Sequence, residues 1–203
     1  MDDKALFKLS YGLFVLTAHQ DGRDNGCIIN TAIQAADGKI TIAVNKQNLT
    51  HDMVKATGLF TVSVLSERAS FDLFKRFGFQ SGRNADKFEG FEACKRGENG
   101  LLYITEGTNA YISGKVIETV DLGSHTLFVA TISDMEVLDS APSATYAFYH
   151  ASIKPKPAPQ PKTEKTVWRC SVCGYVYEGN ELPADFVCPL CKHPASDFEK
   201  IGG

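Results

Sequence analysis

Short apolar runs that alternate with polar residues dominate the first two thirds of the chain, and turn signals such as Asp21-Gly22 separate them. Such runs are typical of half-buried strands. Two stretches have helix signals instead: residues 49–57, and residues 70–77 with Ser70 as the cap. Strands are predicted over residues 11–19, 26–33, 39–45, 60–65, 111–120 and 125–138. Hairpins with two short helices predict a mainly β fold that closes into a barrel.

A segment rich in proline and lysine follows the last predicted strand. Residues 152–166 contain four of the eight prolines in the chain. Alternating prolines favour an extended polyproline II conformation and not a packed element. We therefore expect a domain of residues 1–151, a linker of residues 152–166 and a small domain of residues 167–203.

Composition and charge narrow the class of protein. The chain has 203 residues, 43% of them hydrophobic, and a formal net charge of −3, which is typical of a globular protein and gives no basis for nucleic-acid binding. The N-terminus is polar and no apolar run of about 18 residues occurs, so we expect neither a membrane span nor a signal peptide. Six cysteines, four of them at metal-ligand spacing, indicate a reducing compartment, and we expect a cytoplasmic protein.

Four cysteines near the C-terminus carry the clearest chemical signal. Cys170 and Cys173 form one C-x-x-C pair, and Cys188 and Cys191 form a second pair one short loop later. Each pair lets one tight turn direct two thiolates at one metal ion, so the array predicts a tetrahedral site with four sulfur ligands. Zinc and iron both suit such a site, and the spacing does not choose between them. The two remaining cysteines are interpreted as small buried hydrophobic residues: Cys27 and Cys94.

Four polar clusters interrupt the apolar runs, at residues 25–32, 45–52, 77–88 and 121–128. Their spacing alone is a weak signal, because Asn and Thr at strand ends are usually turn or cap residues. Arg83 and Lys87 would ordinarily form a solvated basic surface, and His125 would ordinarily be structural. Neither a G-x-G-x-x-G nor a Walker motif occurs, so a Rossmann nucleotide site is not expected.

Residues 167–201 resemble rubredoxin-like domains, in particular the short-loop domains appended to rubrerythrins. The resemblance rests on the two cysteine pairs and on the aromatic and proline positions around them, such as Trp168. It implies one iron that shuttles a single electron, with zinc as the alternative metal. Gly174, after the first pair, suits a positive φ. Lys192 occupies the equivalent place after the second pair, where many rubredoxins have glycine, and is expected to be strained.

Residues 5–150 resemble the flavin reductase family, whose fold is a split β-barrel that binds FMN. The resemblance includes all four polar clusters and is most specific at residues 45–51 and 77–88. Joined to the rubredoxin-like domain, the barrel resembles the high-molecular-weight rubredoxins. This implies that FMN takes electrons from NAD(P)H and that the iron passes them to a redox partner such as a flavodiiron protein. The resemblance also implies a homodimer with FMN near the interface.

The family and the needs of the cofactor give the polar residues expected roles. Residues 30–32 would line the ring edge, asparagines would hold the ribityl chain, and basic and hydroxyl groups would bind the phosphate near a helix N-terminus. His125 would lie at the nicotinamide face as the catalytic residue that orients the donor. The expected cofactor-binding residues are Asn30, Thr31, Ala32, Asn45, Lys46, Asn48, Thr50, His51, Arg83 and Lys87.

Three classes of function are open on the sequence. The first is an electron-transfer oxidoreductase that passes electrons from NAD(P)H through FMN and iron to a protein acceptor. The second is a stand-alone NAD(P)H:flavin or ferric reductase, with the four-cysteine tail as an accessory that holds iron or zinc. The third is a non-catalytic module made of a binding barrel and a zinc tail.

Overall fold

The computed structural model describes residues 2–155, 167–179 and 181–202. It divides into two compact units, Met1–Lys154 and Pro155–Gly203. A π-helical turn, Tyr149–Ile153, belongs to the first unit, which therefore extends past residue 151. Most of the expected linker, residues 156–166, lies outside the described residues.

The first unit is built mainly from strands. After a 3-10 turn, Asp3–Lys8, its elements are β1 (Phe14–Gln20), β2 (Arg23–Ile29), β3 (Ala32–Ala36), β4 (Lys39–Asn45), α1 (Leu49–Thr57), β5 (Leu59–Leu65), α2 (Phe71–Gly78), β6 (Cys94–Arg96), β7 (Leu102–Ile104), β8 (Thr108–Asp121), β9 (His125–Val137) and α3 (Tyr146–Phe148). The predicted strand at 39–45 and the predicted helix at 49–57 have the observed bounds. The strands predicted at 11–19, 60–65, 111–120 and 125–138 differ from β1, β5, β8 and β9 by a few residues at their ends.

Seven strands form one antiparallel sheet in the order β2-β1-β5-β8-β9-β4-β3. Although β2 and β3 are consecutive in sequence, they lie at opposite edges of this sheet. Only Asn30 and Thr31 separate them, and three Cα–Cα steps span about 11 Å at most. The sheet must therefore curl until its edges meet, which gives the predicted split β-barrel. The prediction of one strand over residues 26–33 is wrong, because the chain changes edges within that range.

The interior of the barrel is an apolar core to which strands from both halves of the sheet contribute. Phe60, Phe128 and Ile42 are wholly buried there. Helix α1 packs against β1 and β2 and adds Met53 and Val54 to the same core. Burying each large apolar side chain contributes about 1.5–3 kcal/mol, so the burial of Met53 and Val54 holds α1 against the barrel.

A second core lies between the barrel, α2 and the short β6–β7 hairpin. Ser70 caps α2 as predicted, since its Oγ accepts a hydrogen bond from Leu73 N over 3.4 Å. Phe74 and Phe77 of α2 are buried in this core with Ile104 of β7. The sequence does not predict β6 and β7, because strands of three residues are too short for alternation to be visible.

The second unit is a small antiparallel sheet with strand order β11-β10-β12, where β10 is Val167–Cys170, β11 is Val176–Glu178 and β12 is Phe198–Gly202. Its core consists of Phe198 and two of the cysteines, with half-buried aromatic side chains such as Trp168 and Phe186 packed around them. A core of this size does not stabilise an independent fold, so a metal ion bound by the four cysteines would supply folding energy.

Candidate metal centre and flavin site

The two cysteine pairs lie on turns with the same hydrogen-bond pattern. The N–H of Gly174 donates to the carbonyl of Cys170, and the N–H of Lys192 donates to the carbonyl of Cys188, each over 2.9 Å. Gly174 has φ 81° and Lys192 has φ 64°, so both predicted positive-φ positions are confirmed. The left-handed region costs a non-glycine residue about 1–2 kcal/mol, and only the second turn has this strain.

The four thiols form one compact cluster. All four Sγ atoms lie within 4.8 Å of one another, and the Cys170–Cys191 and Cys173–Cys188 sulfur pairs are each 3.5 Å apart. Sulfur atoms at about 2.3 Å from a tetrahedral metal ion are about 3.8 Å from each other. The cluster therefore has the ligand number and spacing of a tetrahedral four-sulfur metal site.

Shared protons make the thiols unequal in acidity. The pKa of Cys173 is lowered to about 5, first because the S–H of Cys191 donates a hydrogen bond to it. The same interaction is the main reason why the pKa of Cys191 is raised, and burial raises the pKa of Cys170. Without a cation the four sulfurs are not all thiolates at neutral pH. A metal ion bound by all four must displace protons.

Several of the predicted flavin residues meet where β4 ends and β9 begins. Asn45, the last residue of β4, is the cross-strand partner of His125, the first residue of β9. Beside them the Lys46 N–H donates to Ser124 O over 3.0 Å, and Lys46 Nζ lies 2.6 Å from Asp121 Oδ1. Asn45, Lys46 and His125 are half-buried, and each side chain has a partner: Gln47 N–H donates to Asn45 Oδ1, Lys46 pairs with Asp121, and His125 Nδ1 lies beside Ser124 Oγ.

The residues predicted at the ring edge lie at the crossover between β2 and β3. Thr31 O accepts a hydrogen bond from Ala43 N over 3.2 Å, which places the crossover beside β4, close to Asn45. The Thr31 hydroxyl donates to Asn30 Oδ1 over 3.1 Å. Ala32 packs instead against the barrel core and lines an apolar cavity of about 380 Å³.

At the N-terminus of α1, backbone N–H groups are more accessible to a ligand than the side chains of the first turn. Asn48 is the N-cap, but its side chain makes no capping hydrogen bond. Thr50 and His51 are only 0% and 4% exposed, so they support the helix from within. His51 Nε2 lies 2.9 Å from Thr126 Oγ1, and His51 Nδ1 lies 3.0 Å from Asp52 Oδ1. The geometry does not present the two buried side chains to a phosphate in solvent.

Arg83 and Lys87, in the loop after α2, have opposite environments. Arg83 is exposed, and its Nη2 lies 2.6 Å from Asp52 Oδ2. Lys87 is 3% exposed, and its Nζ donates to the carbonyls of Gly26 (2.8 Å) and Phe77 (2.9 Å). Burial lowers the pKa of Lys87. The ammonium of Lys87 is therefore directed into the unit, and only Arg83 offers a charge at the surface.

Three residues of this region were not among the predicted site residues: Asn25, Asp52 and Thr126. Asp52 joins His51 to Arg83, and the hydrogen bond from His51 is the first cause that lowers the pKa of its carboxyl group. Asn25 Nδ2 donates to Thr50 Oγ1 over 2.9 Å. All three belong to the polar clusters of the sequence, but only the fold shows which groups they contact.

The barrel and the four-thiol cluster together define a two-part electron-transfer oxidoreductase. Comparison with protein families agrees with this class. Residues 6–156 match the flavin reductase like domain, and residues 168–199 match the rubrerythrin, rubredoxin-like domain. The chain therefore belongs to the flavin reductase-like family and carries a rubredoxin-like domain after the barrel.

Two curated relatives show how far the similarity extends. The chain is 38% identical to the high molecular weight rubredoxin of Moorella thermoacetica, over 99% of this chain and 100% of the relative. It is 42% identical to a ferric-chelate reductase (NAD(P)H) of Archaeoglobus fulgidus, over 77% of this chain and 93% of that protein. The first relative thus shares both parts of the chain.

A solved structure supports the fold of the barrel. The NADH:FAD oxidoreductase SgcE6 of Streptomyces globisporus superposes with a TM-score of 0.61 at 19% identity, covering 70% of this chain and 84% of that one. At this identity the likeness concerns the fold alone. Among the described residues, no helix has the length and apolar character needed to cross a membrane.

Proposed function

We propose that this protein is a cytoplasmic NAD(P)H-dependent, FMN-containing oxidoreductase that passes electrons through an iron bound by four cysteines to a redox partner protein. The observation that carries the proposal is the presence, in one chain, of a flavin reductase barrel and four Sγ atoms within 4.8 Å of one another. NAD(P)H gives up two electrons as hydride, whereas a mononuclear iron site accepts one electron at a time. Bound FMN would accept the pair and release the electrons singly.

The described residues fit an FMN site at the end of β4. The uncapped N–H groups of α1, Lys46 and Arg83 would bind the phosphate, because helix N-termini and cations favour anions. Asn45 and Asn48 would hold the ribityl chain. The β2–β3 crossover, residues 30–32, would bind the ring edge. We assign Thr50, His51 and Lys87 the task of supporting these groups from inside the unit.

His125 is the proposed contact to the nicotinamide. It is half-buried beside Asn45, and its Nδ1 lies 2.9 Å from Ser124 Oγ. This hydrogen bond favours one orientation of the imidazole, which would present the ring to the donor. Hydride transfer to a flavin needs no strong base, and the task of His125 is therefore orientation and not proton transfer.

The metal and the partner follow from the tail. We assign iron to the cysteine cluster, because a metal that accepts electrons from a flavin must be redox-active, and zinc is not. A flavodiiron protein is the proposed acceptor, because it accepts single electrons from such a centre.

A second copy of the chain is the proposed cover for the β8–β9 hairpin. Five of its large apolar side chains are 41–77% exposed: Ile117, Val120, Leu122, Met135 and Val137. Met135 also borders the apolar cavity beside Ala32. Exposed apolar surface of this kind marks an association site, and we propose a homodimer with the flavin near its interface.

Visible spectroscopy and metal analysis of the purified full-length protein test the proposal. We expect flavin absorption together with ferric–thiolate absorption, and both should bleach under anaerobic titration with NADH or NADPH, which also identifies the donor. Stoichiometric zinc in protein expressed with ample iron would contradict the electron relay. Absence of flavin after reconstitution with FMN would contradict the proposed function as a whole.

A stand-alone ferric reductase is the second candidate, because the relative from A. fulgidus is matched over 93% of its length by only 77% of this chain. Cys173→Ser distinguishes the two functions. If the tail is an accessory, reduction of a ferric chelate by NAD(P)H should continue at the wild-type rate. If the tail is the exit for electrons, reduction of a flavodiiron acceptor should be lost while FMN reduction continues.

A further inference from the structure

The loop that follows α2, residues 79–93, has no helix or strand, yet it is fastened at several points. Arg23 Nη2 donates to the carbonyls of Gly82 (2.5 Å) and Ala85 (3.2 Å). Arg76 Nη1 donates to the carbonyl of Lys87 over 3.1 Å. Surface loops of this length are ordinarily mobile. Because cations bind its carbonyls, this loop keeps a defined shape.

Gly82 packs directly on the side chain of Asn25. A Cβ atom at position 82 would lie 2.3 Å from Asn25 Oδ1 and 2.6 Å from Asn25 Nδ2, so a larger residue would displace the amide. Glycine at position 82 therefore lets the loop pack against the Asn25 side chain of β2.

Asn25 also holds the start of α1 through its hydrogen bond to Thr50. The side chain of Asn25 is 1% exposed, and within the described parts of the chain its Oδ1 has no hydrogen-bond partner. A buried amide oxygen without a donor is unfavourable, because it has lost its hydrogen bond to water. An apolar side chain of similar size would fill this place without that cost, so packing alone does not explain the asparagine.

The two elements that Asn25 connects carry the proposed phosphate-binding groups. One is the first turn of α1, and the other is Arg83, which follows Gly82 and whose Nη2 also lies 2.6 Å from Asp52 Oδ2 of that turn. We propose that Asn25 and Gly82 are positioning residues that set the separation of these groups and thereby make the protein select FMN over riboflavin, the flavin without a phosphate. This inference rests on the proposed FMN site and names the contacts that give the site its selectivity.

Dissociation constants of the full-length apoprotein for FMN and for riboflavin, measured by flavin fluorescence quenching, test the inference. Wild-type protein should bind FMN at least about tenfold more tightly, since hydrogen bonds to a charged group contribute about 1.5–3 kcal/mol. Asn25→Ala should weaken FMN binding by about tenfold and change riboflavin binding by less than about twofold. Asn84→Ala, at an exposed asparagine of the same loop, is the matched control and should change neither constant.

Gly82→Ala perturbs the same contact from the other side. Its Cβ displaces the amide, so the same selective loss of FMN affinity is expected, together with a lower melting temperature. In the double variant Asn25→Ala/Gly82→Ala the clashing atoms are gone. The melting temperature should then rise above that of Gly82→Ala, while the preference for FMN stays lost. Stability and selectivity are thereby measured separately.

Equal weakening of FMN and riboflavin in Asn25→Ala and Gly82→Ala, or no weakening in either, overturns the inference and leaves the contact purely structural. If Asn25→Ala does not fold, Gly82→Ala decides by the same criterion. A wild-type protein that binds both flavins equally contradicts the proposed phosphate site as well. A wild-type preference for FMN that survives both substitutions contradicts only the roles of Asn25 and Gly82.

Discussion

Loss of the metal should unfold the second unit and leave the barrel intact. Among the described residues of the second unit, the buried large apolar side chains are Val167 and Phe198, and their burial contributes about 3–6 kcal/mol in total. Binding of zinc to a structural site contributes about 10–16 kcal/mol. The metal is therefore the largest single contribution to the stability of this unit, and Cys173→Ser removes a quarter of its ligands.

Trp168 makes this prediction easy to follow, because it is the single tryptophan of the chain. It is half-buried, and its indole N–H donates to Gly179 O over 3.2 Å. In the zinc-loaded protein, which avoids quenching by iron, its emission should shift to longer wavelength when a chelator removes the metal. Cys173→Ser should show the shifted emission from the start. Far-ultraviolet circular dichroism should retain the β signal and the melting transition of the barrel.

Cys94→Ser is the matched control, because Cys94 lies in the first unit and outside the thiol cluster. It should keep both the zinc content and the Trp168 emission of the wild-type protein. If metal-free Cys173→Ser protein retains the emission of the zinc-loaded wild type, the small aromatic core folds this unit unaided, and the reasoning from buried area is refuted.

Three further predictions concern the surface, the second cysteine turn and pH. Met135→Glu should convert a dimer into a monomer in sedimentation equilibrium without lowering the melting temperature; a wild-type monomer with FMN bound would count against the interface. Lys192→Gly should stabilise the zinc-loaded second unit by about 1 kcal/mol in urea titrations followed by Trp168, and Gly174→Ala should destabilise it by a similar amount. The pKa of Asp52 in the folded protein lies below its ordinary 3.8, so its contribution to stability is present above that value and is lost as pH falls through the lower folded pKa. Asp52→Asn should therefore reduce the difference between urea midpoints at pH 7 and pH 2.5; an unchanged difference would show that the carboxylate contributes nothing.

The sequence predicts those parts of the fold that are determined by residues close to one another along the chain. The bounds of β4 and α1, the cap at Ser70 and the positive φ of Gly174 all follow from residues close in sequence. The cysteine cluster belongs to the same group, because each pair occupies one turn. The break between β2 and β3 does not follow from local signals. It occurs because the two strands lie at opposite edges of the sheet, and the strand order is not visible in the sequence.

The predicted flavin residues stay a prediction, and the fold shows which of their side chains lie together and which are buried. Asn45 and His125 meet because strand register brings them together, which the polar clusters alone do not show. Thr50, His51 and Lys87 are buried, although their residue types suit a phosphate. A single sequence does not show which side of α1 faces the barrel. Nor does it show that the Lys87 ammonium finds two carbonyl acceptors inside the unit.

The crossover at Asn30–Thr31 also determines when each centre can form during synthesis. β2 and β3 lie at opposite edges of the sheet, and β9 lies between them in the strand order. The barrel therefore closes only after β9 has been synthesised, when, for example, Lys39 of β4 can pair with Thr131 of β9. Such distant pairing makes folding slow. The thiol cluster, in contrast, draws all its ligands from the stretch between Cys170 and Cys191. The metal site, although it is synthesised last, therefore needs contacts over the shortest sequence separation. Its formation does not depend on prior closure of the barrel that binds the flavin.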